Sequence, residues 1–127
     1  MGNHSDTHEL LIKRAYEEQS PEEGYRILVD RVWPRGIKKV TLELDLWAKY
    51  IAPSTEVRKA FGHVDALYEK FKTDYTFELD ENPQKDEFVS LIKTQLKKQN
   101  VTFIYGAKNV KFNQAVVLRE YVLIAIK

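Results

Sequence analysis

The chain has 127 residues, 43% of them hydrophobic and 31% charged, and a formal net charge of +1. That length suits one domain able to bury its own core, and the apolar content excludes disorder of the whole. The absence of cysteine excludes disulfides, thiolate zinc sites and a cysteine nucleophile, and the near-neutral charge balance leaves any nucleic-acid binding to a local patch.

The opening MGNHSDTH lacks the basic and apolar regions of a secretion signal and reads as a flexible leader over residues 1–8, before a single domain over 9–127. His4 and His8 have helical ligand spacing without further ligands, so no metal is expected, and no cofactor either. Leu10 to Tyr16 alternates loosely and predicts a first, edge strand; the polar EEQSPEEG that follows predicts a loop. Tyr25 to Val29, YRILV, is short and almost continuously apolar, as in a strand covered on both faces, and WPRG then matches a turn. Between Val40 and Tyr50 the alternation of Val40, Leu42, Leu44 and Leu46 argues for a strand, while Leu42, Leu46 and Tyr50 suit a helical face; both readings stand.

Pro53 ends that segment, and Ser54 caps a short helix that runs to Phe61 and stops at Gly62. Val64, Leu67, Tyr68, Phe71 and Tyr75 keep the rhythm of an amphipathic helix from about Asp65 to Leu79. Asn82 and Pro83 supply a cap and a first residue for the next helix, with Phe88, Leu91, Ile92 and Leu96 inward and an end near Gln99 and Asn100. VTFIY, Val101 to Tyr105, repeats the buried-strand signature. NQAVVLREYVLIAI is a last helix capped by Asn113, either deeply buried or part of a homodimer contact. Its apolar run, Ala115 to Ile126, is too short to span a bilayer and is interrupted by Arg119 and Glu120, so a soluble, cytoplasmic protein is expected. Two buried strands far apart in sequence, separated by helices, are easiest to place side by side and parallel. The expected fold is a small α/β domain with a mostly parallel sheet and helices packed on both faces.

Strand formation needs Ile27, Leu28 and Val29, but nothing in it asks for Asp30, Arg31, Trp33 and Arg35 at the strand's end. In an open α/β sheet ligands bind beyond the carboxyl ends of the strands. Parallel pairing therefore brings these residues beside Tyr105, Gly106 and Lys108, and near the start of the last helix at Asn113. Guanidinium groups, an ammonium and helix N-terminal amides together favour a small anionic, phosphate-bearing ligand. The alternative for each is structural: Arg31 paired with a carboxylate such as Asp30, Arg35 and Lys108 solvated, Trp33 in the core, Tyr105 bonded locally, Asn113 only a cap. His63 is the sole histidine outside the leader and the one side chain suited to acid–base catalysis near neutral pH; Ser54 and Thr55 read as caps rather than nucleophiles. Nucleotide-binding glycine loops, a nucleophile elbow and the zinc-protease motif are absent. The basic run Arg31, Arg35, Lys38 and Lys39 suits nucleic-acid phosphates as a second reading.

Together RILVDRVWPRG, LDLWAKYIAPSTEVRKAFGH, YEKFKTDYTFEL and VTFIYGAKN with NQAVVLREYV resemble the YeaO-like family, one of the domain-of-unknown-function families, in order from about Tyr25 to Tyr121. The resemblance implies a small cytosolic bacterial-type α/β domain and brings no reaction with it. The family's DR-x-WPRG motif falls on Asp30, Arg31, Trp33, Pro34, Arg35 and Gly36. Its W…APS…FGH series falls on Trp47, Ala52, Pro53, Ser54, Phe61, Gly62 and His63, and its N-x-A motif on Asn113 and Ala115. Two departures stand out: Asn109 where the family often has aspartate, and Val64 and Asp65 where a proline often follows the histidine. A general base at that aspartate has no counterpart in Asn109. The leading expectation is an anion-binding crevice built on Arg31, Arg35 and the start of the last helix, with His63 moving protons if there is catalysis.

Overall fold

The computed structural model describes residues 8–127; the leader expectation, residues 1–8, lies outside them except for His8. Four strands form one sheet: β1 (Leu10–Arg14), β2 (Tyr25–Leu28), β3 (Leu46–Trp47) and β4 (Val101–Tyr105). Their order is β1-β4-β2-β3 and every pairing is parallel. The two buried strands read from the sequence are thus neighbours in the middle, and β1 is an edge as expected.

Among the described residues the α-helices are α1 (Lys39–Leu42), α2 (Thr55–Phe61), α3 (Tyr68–Glu81), α4 (Lys85–Leu96) and α5 (Gln114–Ile126). Side-chain alternation along the strands divides the apolar residues between the two faces of the sheet. Ile27, Val29, Phe103 and Tyr105 pack with Phe71 and Tyr75 of α3, Phe88 and Ile92 of α4, and Leu118 and Val122 of α5. Leu28 and Ile104 turn the other way, onto Ala15, Leu42 of α1, Trp33 and Trp47. Helices cover both faces, but unequally: the second face has only a four-residue helix and a loop closed by two tryptophans in edge contact, ring centroids 5.2 Å apart. Among the described residues no helix is long and apolar enough to cross a membrane.

The segment from Val40 to Tyr50 follows neither reading throughout: Leu42, Leu46 and Tyr50 fall in three different elements, and the strand is confined to Leu46 and Trp47. α1 takes Lys39–Leu42, and only Leu46 and Trp47 pair with Ile27 and Leu28. The fourth helix begins at Lys85, later than the sequence suggests. The Asn82 side chain accepts the Gln84 N–H at 2.8 Å and closes a turn around Pro83 instead of capping the helix. Elsewhere capping follows the sequence: the Asn113 side chain accepts the Val116 N–H, and the Ser54 hydroxyl accepts the Val57 N–H, both at 3.1 Å. Ser54→Ala is expected to cost about 1 kcal/mol, read as a lower denaturant midpoint.

Candidate functional site

Parallel register decides what meets at the carboxyl end of the sheet. Leu28 lies opposite Ile104, and the Val29 N–H bonds the Ile104 carbonyl at 3.0 Å. The chain leaves β2 at Asp30 just where it leaves β4 at Gly106, and the Gly106 N–H donates to Asp30 Oδ2 at 2.8 Å. A Cβ on Gly106 would stand 3.1 Å from that oxygen, so the glycine is what lets the carboxylate approach. The Gln114 amide, in the first turn of α5, donates to Asp30 Oδ1, and the Trp47 indole N–H donates to the Asp30 carbonyl at 2.7 Å. Strand ends, helix start and tryptophan thereby fix one aspartate.

Around it lies an open crevice of about 390 Å³, within the range of about 300–1,000 Å³ usual for small-molecule sites. Asp30, Arg31, Trp33, Arg35 and His63 line it, joined by Arg58 and Lys59 of α2, by Phe61 and Phe71, and by Gly106 and Gln114. Tyr105, Lys108 and Asn113 are not among its lining residues. Tyr105 ends β4 and is buried, Lys108 is exposed, and Asn113 is 1% exposed with its amide engaged at both ends, by Val116 N–H and by the Asn109 carbonyl. The residues after β4 turn away before Lys108, so nearness in sequence to Gly106 does not bring its ammonium to the crevice.

The cations fall into two groups. Arg31 donates from Nε to the Pro53 carbonyl at 3.0 Å and from Nη2 to the Ala52 carbonyl at 3.4 Å, so it holds the loop before α2 and is not ion-paired with Asp30. Arg35, Arg58 and Lys59 are exposed and form no side-chain hydrogen bond or ion pair to other described residues. Trp33 donates its indole N–H to the Ile37 carbonyl at 2.6 Å, which sets the ring as a wall. His63 has a left-handed backbone, φ 60°, directly after Gly62 at φ 54°. Its ring centroid is 5.8 Å from that of Phe61, and no hydrogen-bond partner among the described residues orients it.

Arg58 and Lys59 escape a reading of the sequence because they appear there as the basic last turn of a short helix. A signal was present: Arg58 precedes the buried Phe61 by three residues and so shares its face. Burial pushes the Asp30 carboxyl up to about 6, against the hydrogen bonds from Gly106 and Gln114 and the charge of Arg58, which pull it down. The crevice therefore combines four cationic side chains, one carboxylate and apolar walls. Among the described residues no cluster of three or more His, Asp or Glu could hold a metal ion.

The family model described as the inactive DUF488-N3 subclade matches residues 9–127. Uncharacterized protein YeaO of Escherichia coli K12 is 46% identical over 112 residues, 88% of this chain and 95% of the relative. Uncharacterized proteins of Mycobacterium bovis and Mycobacterium tuberculosis are 32% identical over 111 residues, 87% of this chain and 91% of theirs. No solved structure matches the chain.

Proposed function

Because the chain belongs to the YeaO-like proteins of the inactive DUF488-N3 subclade, we propose that it is a binding protein whose crevice at the strand ends holds a small anionic, phosphate-bearing ligand without turning it over. The observation that carries this reading is the charge of the crevice. Arg35, Arg58 and Lys59 border one cavity and form no side-chain hydrogen bond or ion pair with other described residues, and Asp30, the sole carboxylate among the described lining residues, is engaged by neutral donors instead. Cations gathered around one crevice attract an anion, and guanidinium groups fix a phosphate through paired N–H donors. Arg31 supports the same wall from behind through Pro53 and Ala52.

The family's description as inactive speaks against a catalytic His63, and so does its ring, which no third group among the described residues holds in place as an acid–base residue requires. In this reading His63 is a rim donor to the ligand. The test is a thermal-shift screen of nucleotides, sugar phosphates and other small anions against the native protein and the Arg35→Ala and Arg58→Ala variants. A native-state ligand raises the melting temperature. Each substitution should weaken binding about tenfold or more, the worth of a charged hydrogen bond, while leaving the unliganded melting temperature within a degree or two. Silence across the panel with folded protein would overturn the reading. A salt-sensitive response to oligonucleotides alone would transfer the function to the exposed run Arg35, Lys38 and Lys39.

A further inference from the structure

Asp30 is the sole carboxylate among the residues that line the cationic crevice. No lysine or arginine forms an ion pair with it among the described residues. Its two oxygens accept one hydrogen bond each, from the Gly106 N–H and the Gln114 amide. A carboxylate offers about four acceptor sites, so one direction on each oxygen is left. Asp30 and both of its donors border the cavity.

A bare phosphate drawn in by Arg35, Arg58 and Lys59 would bring like charge toward Asp30, and like charges in a partly desolvated site repel. A ligand that presents a hydroxyl or ammonium group to Asp30 removes that conflict and fills the unused acceptor directions. The volume of about 390 Å³ is well beyond a phosphate ion, and Pro34, Phe61 and Phe71 provide apolar lining for a carbon framework. We infer that Asp30 is the specificity determinant of the crevice, selecting phosphate esters that carry a proton-donating group over phosphates that lack one. This inference rests on the anion-binding reading above.

Titration calorimetry at pH 7.5 with inorganic phosphate, methyl phosphate, glycerol 3-phosphate and phosphoethanolamine, on the native protein and on Asp30→Asn, tests it. Asparagine keeps a carbonyl oxygen for the Gly106 N–H, so the fold persists. Native protein should bind one or both donor-bearing esters at least about tenfold tighter than methyl phosphate, the worth of one hydrogen bond to a charged acceptor. Asp30→Asn should erase that preference while methyl phosphate binds as well or better. Gln114→Ala, which frees Asp30 Oδ1, should keep the preference or enlarge it. Methyl phosphate binding as tightly as both donor-bearing esters, or a preference that survives in Asp30→Asn, would overturn the role of Asp30 while leaving the anion site intact. Absence of binding by all four compounds would remove the anion site and this role with it.

Discussion

Gly24→Ala is expected to destabilise the protein by about 3–5 kcal/mol, the sum of backbone strain and overpacking. Gly24 has φ 66° and ψ −125°, a conformation that side chains with a Cβ rarely adopt. An added Cβ would lie 2.0 Å from the Asn100 carbonyl oxygen and 2.8 Å from its carbon. That oxygen accepts the Tyr25 N–H at 2.8 Å, while the Asn100 side chain accepts the Glu9 N–H and donates to the Glu22 carbonyl. One asparagine thus ties together the starts of β1, β2 and β4, and pushing it aside loosens all three strands. Denaturant unfolding should show the loss as a large fall in midpoint. Gly24 lies at the amino ends of the strands, away from the crevice, so folded Gly24→Ala protein should bind anions as the native protein does.

Asp30→Asn is expected to stabilise the protein at pH 7.5 and to leave it almost unchanged at pH 4. Moving the carboxyl from its ordinary 3.8 to about 6 corresponds to a cost of about 3 kcal/mol for keeping it ionised in the folded state. The substituted amide has one oxygen, which keeps the Gly106 N–H, and one NH2, toward which the Gln114 amide must turn its own oxygen; these weaker hydrogen bonds leave a net gain of about 1–2 kcal/mol. The folded protein holds this proton more tightly than the unfolded chain. Between about pH 4 and pH 6 it therefore binds more protons, and the contribution of Asp30 to stability falls as pH rises through that window. Below the window both states are protonated and the cost vanishes; above it the cost is complete. The difference in melting temperature between native and variant protein should accordingly open between pH 4 and pH 6 and level off above. A difference constant over that range, or one that closes with rising pH, would contradict the burial assigned to this carboxylate.

Local patterns reveal much of the fold. The short apolar runs YRILV and VTFIY read as strands because few other structures bury so nearly all of so short a segment: VTFIY is buried throughout and YRILV at all but Tyr25. Ser54 and Asn113 announce their helices because capping depends on residues three apart. The segment from Val40 to Tyr50 is not decidable from local pattern, since β3 is two residues long and exists only through pairing with Ile27 and Leu28. At the crevice, Asp30, Arg31, Trp33 and Arg35 were visible as polar chemistry in excess of what a strand end requires, and the family resemblance carried by their motif is shown by the relatives. The contacts of Arg31 were not visible: its acceptors are backbone carbonyls 21 and 22 residues away, and any residue type there presents the same group. Spacing alone puts Arg58 on the face of Phe61, but that this face of α2 turns to the crevice is set by the packing of Phe61 against Phe71, ring centroids 4.6 Å apart, which no local pattern shows.

The most direct test of the anion crevice is a phosphate titration followed through the backbone amide resonances of the isotopically labelled protein. Saturable shifts confined to Asp30, Arg35, Arg58, Lys59, Gly106 and their neighbours are the predicted result, and they should be lost when Arg35 and Arg58 are both replaced by alanine. Shifts that never saturate, or that gather elsewhere on the surface, would contradict the account.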